Sequence, residues 1–509
     1  MNKFCQLLLI GFGLVCSSCQ RTPVLPELES LNEAIISGMQ PVYRLQPDET
    51  LTIRPDVSFS QDSLATDSAR YLYEWIFIFA PPVGSGFPYV TIGTEKDLVD
   101  FSMDYISYNS QGFFDFTFRV IDTYTDTFSE FAFRVIVAND FFEGWVVLND
   151  VSGQTRVDML SYQAHADTFL QLRDILAANS SISGKPNFVD FSFSMHDHLS
   201  LGSIVVGTES GIEVFTNDSL AFAFDLYGHH PPLNEIPSEQ KKSARYYGML
   251  YNHYLHLGRT IYQKSEQLGA SPDYFPISSR ETANGAILPF QASPFLAIDL
   301  GRLVAWNIVV MFDEEALQFL WHSEALAAAS PLPHVQLPNP DDDWRLAYMA
   351  YTRNGGGQYL AVLKNDSNNT ASIVRFTLYE LLDFLTLEPD SRLAHADHIV
   401  LDPNTGDLYF ASDQMLYVYA GGDHKLQEFD KEITMLKFNE FLLTQEFSVG
   451  SSVNKARYNT YEQHLLIATH DPDQPDDSGE LHLYEPSQRR IDTSYTGFAR
   501  IIDVTYKER

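Results

Sequence analysis

Cysteine is scarce and oddly placed: the 509-residue chain has three, Cys5, Cys16 and Cys19, and none after position 19. A body without thiols excludes disulfides, Cys-ligated zinc, iron–sulfur clusters and a cysteine nucleophile in one step. Positive charge is also short, with 33 Lys and Arg against 67 Asp and Glu and a formal net charge of -34. A field of that sign repels phosphate backbones, so nucleic acid is excluded as a partner. No apolar run approaches the ~20 residues that a membrane-spanning helix needs. The G-x-S-x-G elbow and the H-E-x-x-H pair, signatures of a serine hydrolase and a zinc protease, are missing too. What is present is apolar and aromatic: 45% hydrophobic residues, 36 Phe and 27 Tyr. Phe and Tyr favour pleated, half-buried surfaces, so composition points to β structure.

The N-terminus carries an address. Met1-Asn2-Lys3 is a short positive segment, and Leu7 to Val15 is an apolar core too short to span a bilayer, so residues 1–18 read as a signal peptide. Val15-Cys16-Ser17-Ser18-Cys19 then places small residues directly before a cysteine. This run resembles the lipobox of a bacterial lipoprotein. The resemblance implies cleavage after Ser18 and makes Cys19 the lipid attachment residue, its thiol carrying a diacylglycerol and its amine a third acyl chain such as palmitate. Several acyl chains anchor stably where a single one does so only marginally. Position 20 is Gln and not Asp, so the inner-membrane retention signal of enteric bacteria is absent. Delivery to the outer membrane is expected, on the cell surface or the periplasmic face. Residues 19–40, with prolines and acids, read as a tether.

From 41 to 139 short alternating runs are separated by turn residues. In Phe113–Asp122 the alternation places Phe114, Phe116, Phe118 and Val120 on one face of a strand, with Asp115, Thr117 and Arg119 on the other. About seven such strands in roughly 100 residues, with Trp75 early in the set, describe an Ig-like sandwich. Without a disulfide, Trp75 must pack on aliphatic and aromatic side chains. The run Tyr73-Glu74-Trp75, then Gly112 to Asp122, then a strand ending Phe133-Arg-Val-Ile-Val137, resembles a polycystic-kidney-disease (PKD) type domain. With the lipobox, the layout resembles the PKD-like lipoproteins of Bacteroidota. Trp75-Ile-Phe continues Ile-Phe-Ala-Pro-Pro where the usual domain has Trp-x-Phe-Gly-Asp-Gly, so the chain departs from the family pattern there.

Residues 140–509 repeat a hairpin: an apolar strand, a polar or glycine turn, an alternating strand. Strand starts near 146, 204, 360, 408 and 465 leave gaps of 58, 156, 48 and 57, and the long gap divides into three units of 52. A period of ~50 residues of β hairpins predicts a β-propeller of about seven blades, because four short strands cannot bury both faces alone and stack radially. Arg500-Ile-Ile-Asp-Val-Thr-Tyr is expected to close the ring against the first blade. A large irregular sandwich, or two smaller β domains, is the competing architecture. The interval 228–285, rich in Tyr and basic residues, reads either as a degenerate blade or as an insertion on one rim, and as the place for a ligand or partner contact.

Individual constellations are weak. His196 and His198 lie at i and i+2, which on a strand point the same way, but no third metal ligand is evident. His229-His230 diverge on an extended chain. Asp341-Asp342-Asp343 and the acids between His470 and Glu480 match no calcium-loop spacing. Trp321, Trp344 and Tyr348 are rim candidates for stacking on sugars or peptides, against the commoner fate of core packing. No catalytic residue, metal site or cofactor is assigned. The leading expectation is a non-catalytic, lipid-anchored binding or scaffolding protein. Resemblance adds an accessory role beside an outer-membrane importer of the SusC type and its SusD-like lid, in glycan or peptide uptake. A surface-anchored hydrolase or lyase on oligosaccharides or peptides is the alternative, and a purely structural envelope protein a third reading.

Overall fold

A computed structural model describes residues 32–508, except 46–48, 63–68, 79–88, 104–112, 138–140, 164–166, 179, 193–201, 218, 249–251, 266–272, 282–283, 299–307, 324–325, 327, 338–342, 442–451 and 475. The signal peptide, Cys19, the first part of the tether, Met195 to His198 and Asp341-Asp342 lie outside the described residues. The chain is nearly all β and divides into two compact units, Met1–Val137 and Ala138–Arg509.

The first unit is the expected sandwich. One sheet has five strands in the order Val42–Leu45, Thr127–Val137, Phe113–Asp122, Tyr71–Ile78 and Tyr89–Gly93, with Val42–Leu45 parallel to its neighbour. Two short pairs complete the unit, Ala34–Ser37 with Asp56–Phe59 and Thr50–Ile53 with Leu98–Ser102. The alternation of Phe113–Asp122 holds: Phe114, Phe116, Phe118 and Val120 all enter the core. Trp75 is fully buried, with Phe118 at 4.4 Å and Phe133 edge-on at 5.9 Å between ring centroids. Its indole N–H donates to the Glu95 carbonyl at 2.9 Å, so a large apolar body is buried without an orphaned donor.

The second unit is a seven-bladed propeller. Blades 2 to 7 are consecutive four-stranded antiparallel sheets, each beginning with its inner strand: Pro186–Ser192, Arg245–Gly248, Ala297–Ile298, Trp344–Thr352, His398–Leu401 and Glu432–Phe438. Blade 1 takes three strands from the start of the unit, Gly144–Val151, Gln154–Gln163 and Thr168–Leu172. Its inner strand is Arg500–Lys507, from the far end of the chain. The interval 228–285 contains blade 3, which is reached through three helical turns, Leu226–His229, Pro231–Asn234 and Ser238–Lys241.

Seven apolar clusters, one at each junction between blades, hold the ring together. The second strand of each blade feeds two of them. In Gln358–Asn365, Leu360 and Val362 face blade 6 while Ala361 and Leu363 face blade 4. In Gly144–Val151, Val146 and Leu148 face blade 2 while Trp145 and Val147 face blade 7. Successive side chains of a strand point to opposite faces, so a strand sandwiched between two blades needs apolar residues on both faces. This requirement accounts for the unbroken apolar runs that recur in the sequence. Among the described residues no helix is long and apolar enough to cross a membrane.

Candidate functional site

The seven inner strands converge on a central cavity of about 560 Å³. An inner strand has no further strand on its axial side, so its edge N–H groups need other acceptors. Side chains from the preceding blade supply several of them. Asp503 of blade 1 accepts from Val189 N at 3.1 Å, and Asp190 of blade 2 from Gly248 N at 3.0 Å. The Tyr348 hydroxyl of blade 5 accepts from Leu401 N at 3.0 Å, and Asn439, just past the inner strand of blade 7, from Tyr506 N at 3.2 Å. The hand of the pattern is constant around the ring. At Gly248 a side chain would collide with it, since a Cβ there would lie 2.9 Å from the Asp190 carboxylate and 3.0 Å from the Ser192 hydroxyl.

Charges on the wall are mostly matched. Lys437 Nζ lies 2.8 Å from Asp503 Oδ1. Burial works against the ammonium, but Asp503 and Asp190 together outweigh it and hold Lys437 above its ordinary range. At one end Arg353 forks to Glu440 at 2.6 Å and Glu462 at 3.2 Å, tying the helix Ser452–Glu462 to blade 5. The same helix supplies Arg457, which pairs with buried Glu143 and stacks 3.9 Å from the Tyr162 ring centroid. Tyr506 also donates to Glu143, at 2.7 Å.

Asp190 and Arg245 are different. Asp190 is half-buried, and among the described residues it lies within ion-pair distance of no cation, although the charge of Lys437 acts on it. Burial raises its carboxyl to about 7, against the opposing pull of Lys437 and of the Gly248 N–H. Arg245, on the adjacent blade, is exposed and sits 4.7 Å over the Phe295 ring; it too makes no ion pair among the described residues. Tyr247 and Tyr348 line the same cavity. Tyr247 donates to the Pro294 carbonyl at 2.8 Å, so its hydroxyl is fixed. Burial raises the Tyr348 phenol, which therefore stays protonated at neutral pH.

The candidates from sequence fall in different places. Tyr348 is on the cavity wall, whereas Trp344 is buried and Trp321 half-buried in the cluster between blades 4 and 5. His230 is buried beside Asp273, 3.3 Å from Nδ1 to carboxylate, and desolvation lowers it to about 4. His229 is exposed and stacks on Phe224. Asp343 is exposed. In the His470 to Glu480 loop, Asp471 accepts from Asp473 N at 3.0 Å and Glu480 takes Lys431 at 2.5 Å, so these acids shape the loop. Arg245 lies in the interval 228–285 expected to carry a ligand or partner contact, whereas Asp190, Lys437 and Asp503 escape sequence reasoning because they stand on three different inner strands that only the closed ring brings together.

Comparison with known proteins adds a family for one part of the chain. Among curated proteins none matches. Solved structures that resemble it include a quinonprotein alcohol dehydrogenase-like protein from Bacteroides thetaiotaomicron, at 11% identity over 94% of this chain and 100% of that one, with a TM-score of 0.42. Apo AztD from Citrobacter koseri aligns at 8% identity over 86% and 98%, TM-score 0.34. YCF48 from Cyanidioschyzon merolae aligns at 11% over 64% and 95%, TM-score 0.33. Residues 27–186, which span the sandwich and blade 1's first three strands, match the PKD-like family.

Proposed function

We propose that this protein is a non-catalytic binding accessory of the bacterial envelope, anchored through Cys19 and working beside a SusC/SusD-type importer of glycans or peptides. The observation that carries the binding role is the central cavity, where seven strands from distant parts of the chain bring fixed polar groups and aromatic rings to one concave surface. Ligand sites of this kind combine an apolar lining with a few well-placed polar groups. The address rests on Ser17-Ser18-Cys19 after an apolar leader. The PKD-like match over residues 27–186 is in keeping with a surface accessory module.

A thermal-shift screen of the full-length protein against oligosaccharides and short peptides tests the binding role. A ligand at 100 times its Kd adds about 2.7 kcal/mol to the stability of the unit that holds it. Release of new reducing ends or amines from the same probes would replace the binding role with an enzymatic one. Cys19→Ala should leave the precursor uncleaved or release it from membranes, and co-purification with a SusC-like channel in mild detergent tests the partner.

A further inference from the structure

Each blade ends in an outer strand whose far edge faces no further strand among the described residues. Such edges pair with foreign strands unless they are short or charged. Blades 3 and 4 end in strands of two residues, Phe275–Pro276 and Ser330–Pro331, and blade 6 ends in the charged Asp423–Glu428. Arg490–Phe498 of blade 7 exposes no large apolar side chain, and the outer strands of blades 1 and 2 expose one each, Leu170 and Phe222. Blade 5 lacks this protection: its outer strand Leu381–Thr386 exposes Leu381, Leu382 and Leu385 and pairs on one side only, with Thr370–Phe376. The Leu387 N–H donates to the Ala371 carbonyl at 2.8 Å, which makes those two a hydrogen-bonded pair. Bonded pairs alternate along an antiparallel ladder, so Asp383 and Leu385 turn their backbone groups inward, while Phe384 and Thr386 turn theirs to the free edge.

We propose that this edge docks an extended, basic segment of another protein, which adds to blade 5 as a fifth strand. Unpaired backbone groups beside exposed apolar side chains call for a strand as the occupant, with main-chain bonds giving affinity and side chains giving specificity. Charge selects which strand. Between Arg375 and Arg392 the chain carries Glu380, Asp383, Glu388 and Asp390 and no Lys or Arg. Arg375 stands across the pair from Asp383 but donates to the Gly406 carbonyl, and among the described residues Glu380, Asp383 and Glu388 make no ion pair. A second copy of the chain would bring the same acids to the same edge, where like charges facing each other are unfavourable. The fitting partner places Lys or Arg opposite Asp383 and an apolar residue opposite Leu385.

Fluorescence anisotropy of the full-length protein with fluorescein-Thr-Val-Thr-Lys-Thr-Val-Thr amide tests this, beside a second probe in which Glu replaces Lys. The Lys probe should bind, and the Glu probe at least about fivefold more weakly, since a favourable cross-strand pair becomes a like-charge one. Thr386→Pro removes an outward N–H while sparing the inward ladder and the net charge, and should weaken the Lys probe about fivefold. Leu385→Lys, at an exposed position, puts a like charge on the edge and should also weaken it. Asp383→Asn should narrow the gap between the probes. Equal affinity of the two probes overturns the assignment of a basic partner. A Lys probe that binds the parent and both edge variants alike is held by overall negative charge, which overturns the docking edge, as does the absence of binding by either probe. Dimerisation of the full-length protein in sedimentation, abolished by Leu385→Lys, overturns the proposal in favour of a second copy.

Discussion

Lys437 and Asp503 meet at 2.8 Å on the wall of the cavity, joining blade 7 to the strand that closes blade 1. Asp503 has a second task, because its other oxygen accepts the Val189 N–H of blade 2. One carboxylate thus links three consecutive blades. Asp503→Ala should destabilise the propeller by about 2–3 kcal/mol, since it leaves an ammonium and an edge N–H unmatched in a partly desolvated place. The double variant Lys437→Met/Asp503→Ala should be less destabilised than Asp503→Ala alone, because the stranded charge is then gone. Urea unfolding checks both, and equal losses would mean that the ion pair itself contributes little.

Gly144 begins the first strand of the propeller with φ at +145°, and a Cβ there would lie 2.0 Å from the Leu160 carbonyl oxygen. Gly144→Ala combines an unfavourable backbone conformation with a clash against main chain, which cannot swing away as a side chain can. A loss of at least about 3 kcal/mol is expected, read as a lower unfolding midpoint. Gly153→Ala, at φ +85° with nothing within 4 Å of the Cβ, should cost less and separates the two contributions.

Trp75 fills the centre of the sandwich. Trp75→Ala should cost about 3–5 kcal/mol through the cavity it leaves among Phe118, Phe133 and their neighbours. Trp75→Phe should cost less, since it keeps most of the ring area and loses chiefly the bond to Glu95. Chemical denaturation followed by near-ultraviolet dichroism distinguishes the two.

Protonation pulls stability in opposite directions at two sites. Burial lowers His256 to about 4, and its Nε2 contacts the Ala292 carbonyl at 3.2 Å. Its folded pKa lies below the unfolded ~6.5, so the unfolded chain binds more protons between those values and stability is lost as pH falls from 6.5 toward 4. The loss is on the order of 2 kcal/mol, and His256→Gln, which can still donate to Ala292, should remove it. Asp190 behaves in reverse. Its folded pKa is raised to about 7, so its share of stability declines as pH climbs from about 4 to 7, and Asp190→Asn should flatten that limb. Melting temperatures across pH 4–8 for the parent and both variants decide; parallel curves would contradict both assignments.

The parts of the fold that were legible share one physical property. The repeat anchors near 146, 204, 360, 408 and 465 all fall on second strands of blades, and steps of 52 from 204 reach the two in between, Asn252–Leu257 and Ile308–Asp313. These strands carry apolar residues on both faces because a blade packs on either side of them, and in most of them a run of adjacent apolar residues survives in sequence without any signature motif; Asn252–Leu257, with two histidines, is the exception. Inner strands give no such signal. Arg245-Tyr-Tyr-Gly248 divides its side chains between two junctions while its edge faces the cavity, and Ala297–Ile298 is too short to show a pattern. Trp344 meets the commoner fate expected of such a residue: a rim candidate for stacking on a ligand, it packs its side chain in the core. Asp190, Lys437 and Asp503 each stand in an otherwise ordinary strand, and only the closed ring makes them neighbours.

Ring closure also sets an order of events for a newly made chain. The first sheet is missing its innermost member until the ribosome has passed residue 507, because Gly144–Val151 pairs with Arg500–Lys507. Until then that apolar strand has one bare edge, and the growing polypeptide must be kept from joining its neighbours through it. Any stop that removes residues 500–507 would therefore damage the beginning of the propeller as much as its last blade.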